Sequence, residues 1–281
     1  MLHSQLIQKR HKSNGFSVIE LMVALAITAF LLIGLVQIFS SVRASYDLQE
    51  GLGRLQENAR FASTFMNQQL REVGYFPFAE TQKSIEDPAV MDLGFAFPAI
   101  LNGTVPFPVT INSTDGGGLL PDVLEVNLYD EYDCAGNPNA ATTTGQPAIL
   151  HKQIQFNLNN ATNALRFTCR LGVPNPNPGF VPPVVINNQP ILNNVETIQF
   201  QYGQDRDGDG AADVYTDGFN VLNQGDIISI RVGLILNSPV IGTLPPDDQV
   251  IRLLNIDFPA TGIRHLRRPV VFNISLRNTT A

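Results

Sequence analysis

Chemistry-bearing residues are scarce in this 281-residue chain, which has four histidines and two cysteines. It has no HExxH, no GxSxG and no glycine loop of the phosphate-binding kind, so no motif points to an enzyme class. Beyond residue 15 only His151 and His265 remain, and His151 sits in an alternating segment where a structural role is expected. Cys134 and Cys169 belong to no CxxC pair and no Cys/His cluster, which excludes the common zinc and dithiol-redox spacings. Cys169 alternates with Leu165 and Phe167 and so faces a core. In an oxidising compartment the pair is expected to form a disulfide; two unrelated buried thiols are the alternative.

Basic charge is also short. The formal net charge is −7, and without Lys9, Arg10 and Lys12 it falls to −10, which argues against nucleic acid as the main partner. The cluster Arg264-His265-Leu266-Arg267-Arg268 reads as a solvated turn before the last strand rather than a DNA or lipid contact. Lysine is rare while Asn, Gly, Pro and Thr are plentiful, the composition of a loop-rich extracytoplasmic β protein. With 44% hydrophobic residues the chain can bury a substantial core.

A third absence is positional: no charged residue lies between Glu20 and Arg43. A helix from Phe16 to Phe39 would be about 36 Å long, enough to cross a hydrocarbon layer of about 30 Å. Basic residues precede it and acidic chain follows, so the orientation is N-terminus in the cytoplasm and the remainder outside. A secretory signal has a shorter apolar core, and Val42-Arg43-Ala44 is a poor cleavage site. Neither a secretory signal nor a plain anchor accounts for Glu20, because a carboxylate near a bilayer is costly unless something positive neutralises it.

Past residue 43 the pattern becomes amphipathic. Leu48, Leu52, Leu55, Ala59, Ala62, Met66, Gln69 and Val73 recur at helical steps and predict a stripe packed on the protein's own sheet. Gly51 and Gly53 predict a flex point, and Gly74 a stop. From residue 76 the period changes to two. Leu124-Val126-Leu128, Ile154-Phe156-Leu158 and Ile198-Phe200-Tyr202 alternate with polar residues, and further strands are expected at 164–170, 226–236, 249–256 and 269–277. Residues 76–120 and 172–190 are Pro/Gly-rich and read as surface loops. There is no internal repeat. The fold class is α+β: a long N-terminal helix laid on a mostly antiparallel sheet.

One loop carries chemistry. Asp205-Arg206-Asp207-Gly208-Asp209-Gly210-Ala211-Ala212-Asp213 resembles the calcium loops of EF-hand-like and dockerin-like sites. On that template Asp205, Asp207, Asp209 and Asp213 offer carboxylates and Ala211 its backbone oxygen, so a structural Ca²⁺ is expected. The twelfth position is Thr216 in place of glutamate, with Asp217 beside it as a substitute, and no helices flank the loop. The alternative is a solvated Asp-Gly hairpin turn.

The N-terminal run, a basic leader ending at Gly15 and then Phe16-Ser17-Val18-Ile19-Glu20 ahead of an apolar helix, resembles the class III signal of type IV pilins. The resemblance implies that prepilin peptidase cuts after Gly15 and methylates the new amine of Phe16. Glu20 would then meet such an amine on a neighbouring subunit, a buried pair that fixes register more than it adds stability. Arg54-Leu55-Gln56-Glu57-Asn58-Ala59-Arg60-Phe61-Ala62, Leu70 to Tyr75 and Ser275-Leu276-Arg277-Asn278 resemble PilW-type minor pilins.

The organisation implied is a leader over 1–15, a transmembrane assembly helix over 16–42, an amphipathic continuation over 43–74 and a β-rich periplasmic domain over 75–281. The function implied is a subunit of the inner membrane and then of the pilus, priming assembly near the tip, with consequences for twitching motility and adhesion. Its partners would be other minor pilins, the major pilin, the inner-membrane assembly platform and a tip adhesin. A type II secretion minor pseudopilin and a membrane-anchored, calcium-dependent binding module are the other readings.

Overall fold

The computed structural model describes residues 15, 17–71, 73, 111–141, 147, 150–172, 183–217 and 227–276. The chain divides into two units, one up to Gln49 and one from Glu50 onward. A single helix, α1 (Val18–Leu70), contributes to both.

In the first unit the helix is apolar all round, and from Val18 to Arg43 every side chain is exposed, Gly34 alone being half-buried. Its hydroxyls bond to carbonyls of the same helix, Thr28 Oγ1 to Ala24 O at 2.7 Å and Ser40 Oγ to Gln37 O at 2.9 Å. This removes the main cost of putting them in an apolar medium.

In the second unit α1 buries Gly51, Leu55, Ala62, Met66 and Leu70, continued by Val73. Leu52 is exposed, because the buried stripe passes through Gly51 and Leu55, one step round the helix from the expected line. The helix is continuous through Gly51 and Gly53, so there is no break at the expected flex point. A Cβ on Gly51 would lie 3.0 Å from Ile241 Cδ1 and 3.4 Å from Leu266 Cδ1, whereas one on Gly53 would meet open space. Gly51 is a packing notch, and only Gly53 is the residue a flexible joint would use. Gly74 lies outside the described residues; α1 ends at Leu70.

Five strands form the first sheet, in the order β1 (Ile111–Thr114), β2 (Val123–Asp130), β3 (Leu150–Asn159), β4 (Ala164–Gly172) and β5 (Val184–Asn193), with antiparallel neighbours. The second sheet uses β6 (Val195–Gln204), β7 (Val214–Thr216), β8 (Ile227–Asn237) and β11 (Arg267–Ser275), ordered β11-β8-β6-β7 and also antiparallel. A separate hairpin pairs β9 (Ile251–Leu253) with β10 (Ile256–Phe258).

One core joins these parts. Leu124, Val126, Ile154, Phe156, Leu165 and Phe167 from the first sheet and Ile198, Phe200, Tyr202, Ile230, Val232 and Ile274 from the second share a buried cluster with Leu55, Met66 and Leu70 of α1. Phe65 stands edge-on to Phe156 and Phe167, with ring centroids 6.3 and 5.3 Å away. β6 and β8 are buried on both faces; β8 accordingly reads as a nearly continuous apolar run, whereas β6 buries Thr197, Gln199 and Gln201 between its apolar residues. The outward Ile235 packs with Leu253 and Phe258 of the small hairpin.

Three strand expectations need correction. The later part of the expected loop 172–190 belongs to β5, an edge strand that tolerates Pro190, Asn188 at φ 47° and three register irregularities because one side has no sheet partner among the described residues. Residues 249–256 are two strands: Leu254 at φ 53° turns the chain between β9 and β10. β1 falls inside the expected loop 76–120, most of which lies outside the described residues.

The segment between β8 and β11 is fixed by one buried cation. Arg267, with a side chain 1% exposed, holds Glu196 at 2.9 Å and Asp247 at 2.8 Å. Asp247 also accepts bonds from the N–H of Thr261 at 3.0 Å and of Gln249 at 3.3 Å. The expected solvated basic turn therefore contributes its second arginine, Arg267, to the interior.

Candidate functional site

The N-terminal element is built by the start of α1. Ser17 opens the helix, its carbonyl accepting from Glu20 N and Leu21 N, each at 3.1 Å. Glu20 thus lies in the first turn, where the positive end of the helix dipole favours a carboxylate. Ser17 and Glu20 also have the capping-box spacing, a local reason for the carboxylate that was legible as S-x-x-E. The dipole makes the charge cheaper at this position without supplying a counter-ion. Downstream, the most apolar window of α1 has no buried residue and Phe30 is 82% exposed. A helix of this length and composition is stable only against lipid or other apolar helices. Gly15 is described and exposed; Phe16 and residues 1–14 lie outside the described residues.

The acidic loop closes the β6–β7 hairpin, with Asp213 N bonded to Gln204 O at 2.9 Å. Gly208 and Gly210 take φ values of 80° and 84°, so the chain coils tightly there. The structure brings Asp205, Asp207 and Asp209 together, one carboxylate oxygen from each lying within 4.8 Å of the others. Asp213 is not in that group; its Oδ2 accepts Arg206 N at 2.8 Å. Position twelve is spoken for as well, since Thr216 Oγ1 accepts from Gln204 Nε2 and Asp217 Oδ1 from Gln201 Nε2, each at 3.3 Å. Asp217 thus engages the hairpin's flank through one carboxylate oxygen.

Charge in the loop is unevenly distributed. Bonds from Gly210 N (2.8 Å) and Gly208 N (2.7 Å) hold the Asp205 carboxyl below its usual range against a small opposing effect of burial. Asp207 is held down by the N–H of Asp209, but repulsion from Asp209, Asp213 and Asp205 outweighs that bond and raises it. Three hard oxygen donors with mutual repulsion fit a divalent cation such as Ca²⁺, which would relieve that repulsion.

Cys134 and Cys169 are joined, Sγ to Sγ at 1.99 Å with Cα atoms 5.9 Å apart. The bond ties the turn after β2 to β4. Beside it Lys152 Nζ donates to Asp130 Oδ2 at 2.9 Å and to the carbonyl of Asp133 at 3.3 Å, a pair less than a tenth exposed. His151 Nε2 lies 3.1 Å from Asn127 Oδ1 and His265 Nε2 lies 3.2 Å from Thr261 Oγ1. Burial holds both below the ordinary histidine value, and at His265 the negative charge of Glu196 opposes that effect.

Residues 179–278 match the family described as Type IV Pilus-assembly protein W, and residues 10–36 match the prokaryotic N-terminal methylation motif. No curated protein matches the chain. Among solved structures, a type IV-like pilin from Thermus thermophilus is similar, with 13% identity and a TM-score of 0.47 over 81% of this chain and 98% of that one. The methylation motif spans Gly15 to Glu20 and the first half of the membrane-length helix, while the family match runs from β5 through the last strand. The chain therefore resembles the PilW-type minor pilins of type IV pilus systems at each end, through the methylation motif at its start and the pilus-assembly protein W match over its last strands.

Proposed function

We propose that this pilin primes assembly of a type IV pilus and sits near its tip, in contact with other minor pilins, the major pilin and a tip adhesin, and so serves twitching motility and adhesion. Before assembly it is held in the inner membrane by α1 with its N-terminus in the cytoplasm. Prepilin peptidase processes it after Gly15, and the assembly platform extracts it. The observation that carries this reading is the bare apolar stretch of α1 with a single carboxylate, Glu20, in its first turn. In a bundle of such helices the processed amine of one subunit and Glu20 of another supply each other's counter-charge, and only one stagger does so.

The test is two-part. Mass spectrometry of native protein is expected to find Phe16 as the first residue, with an added methyl group; another start would overturn the reading. Glu20→Ala and Glu20→Gln are both expected to leave processing intact and to abolish piliation, since neither supplies a charge. Normal piliation with Glu20→Gln would assign Glu20 to helix capping alone.

The disulfide and the globular domain suit a periplasmic and then extracellular life. We further propose that Asp205, Asp207 and Asp209, joined by Asp213 and the Ala211 carbonyl after a small closure of the loop, hold a structural Ca²⁺ that orders the β6–β7 hairpin. Millimolar Ca²⁺ is expected to raise the melting temperature of the wild type and not that of the Asp207→Ala, Asp209→Ala double variant; equal shifts would remove the metal. A type II secretion pseudopilin shares the anchor, and piliation of a deletion strain separates the two readings.

A further inference from the structure

The two sheets meet at Asp122, the residue just before β2. Its N–H donates to Ile198 O at 2.9 Å, and its Oδ2 accepts from Phe200 N at 2.9 Å. Asp122 therefore pairs with β6 as a strand residue would, with a side-chain carboxylate in place of a backbone carbonyl. Its Oδ1 accepts Gly116 N at 3.0 Å, which closes the loop between β1 and β2 over the same spot. The fit there is tight, because a Cβ on Gly116 would fall 2.5 Å from the carbonyl oxygen of Pro121. One residue away, Gln199 Nε2 donates to Leu120 O at 2.7 Å.

The placement closes an opening. β7 pairs with β6 only from Tyr202 to Gln204, so the edge of β6 at Ile198 to Phe200 has no strand beside it among the described residues. Asp122 takes up the Ile198 carbonyl and the Phe200 N–H of that edge, and its residue is only 4% exposed. A carboxylate there is short of water and receives two N–H bonds in exchange. The charges that act on it are those of Asp115, on the same loop, and Asp217, beyond β7, and both are negative.

We propose that Asp122 is a proton-operated latch on the seam between the two sheets, which takes up a proton as the medium turns mildly acidic and thereby firms the fold. Burial pushes its carboxyl up from 3.8 to about 6, against the opposing bonds from Phe200 and Gly116 and with help from the Asp115 and Asp217 charges. A carboxyl raised in the folded state contributes stability that is complete below the unfolded value of 3.8 and is lost as pH rises through about 6. From pH 7 to pH 5 the folding equilibrium gains about tenfold from this group alone. The direction is opposite to that of an ion-paired aspartate, so the two can be told apart.

The experiment follows the unfolding midpoint of the full chain in detergent from pH 7 to pH 4.5, for wild type, Asp122→Asn and the Asp115→Asn, Asp217→Asn double variant. Relative to Asp122→Asn, the wild type is expected to gain stability as pH falls through 6. The double variant, which keeps every bond to Asp122, is expected to show the same gain moved to lower pH. Equal pH profiles for wild type and Asp122→Asn would overturn the proposal. If Asp122→Asn does not fold, the ¹³C titration of the Asp122 carboxyl in wild type decides the matter, and a midpoint at or below 4 would equally overturn it.

Discussion

Two glycines two positions apart in α1 offer a controlled measurement of how the helix seats on the domain. Both have the same helix penalty, and replacing either with alanine should recover about 1 kcal/mol of propensity. At Gly53 nothing opposes that gain, because the new methyl meets open space. At Gly51 the methyl arrives 3.0 Å from Ile241 Cδ1, with Leu266 Cδ1 at 3.4 Å and Ser238 Cβ at 3.5 Å behind it. The tip of Ile241 can give by a few tenths of an ångström, but Ile241 and Leu266 belong to a packed wall, and overpacking of this kind costs about 1 to 3 kcal/mol. Gly53→Ala should therefore stabilise by about 1 kcal/mol and Gly51→Ala by nothing. Gly51→Leu should destabilise by about 3 kcal/mol. Urea unfolding of the full chain in detergent, followed by circular dichroism, reads all three. Equal stabilisation by the two alanines would show that the notch at Gly51 carries no contact, and the seating of α1 described above would be wrong.

Other outcomes follow from the same interior. Arg267→Ala should cost about 3 kcal/mol in chemical denaturation, because Glu196 and Asp247, both half-buried, are left without the buried cation they share. Burial raises the Asp247 carboxyl, but the bonds from Thr261, Arg267 and Gln249 outweigh it and lower the value, so its contribution is present above the ordinary 3.8 and lost as pH falls below it. Asp247→Asn should accordingly flatten the acid limb of the stability profile below pH 4, in a melt series that leaves the Asp122 region unchanged. Reduction of Cys134–Cys169, which closes a loop of 35 residues, should lower stability by about 3 to 4 kcal/mol, seen as a drop in melting temperature with a phosphine reductant.

The helix and the central strands were legible because each gathers its apolar side chains on one face, so the polar residues of the other face write a period into the sequence. Leu124-Val126-Leu128 and Ile198-Phe200-Tyr202 fall where alternation puts them. β5 was not legible, since an edge strand need not exclude proline or asparagine, and Pro190 and Asn188 read as loop. The β9–β10 turn was hidden by Leu254, which adopts a positive φ that its residue type gives no reason to expect. In the acidic loop the spacing located the carboxylates, but the fate of Asp213 and Asp217 depends on what Arg206 and Gln201 offer them once the hairpin closes. Asp122 was beyond reach of any local pattern, because its partner Phe200 is 78 positions away.

The hydrophobic cluster draws on segments far apart in the sequence, Leu55 to Leu70 from the helix, Ile274 from β11 and Leu276 just after it. Until β11 docks, β8 lacks its neighbour on that side and its apolar surface stays wet. Folding of the domain is thus cooperative over the whole distance from α1 to β11, and any intermediate without β11 presents an adhesive apolar surface.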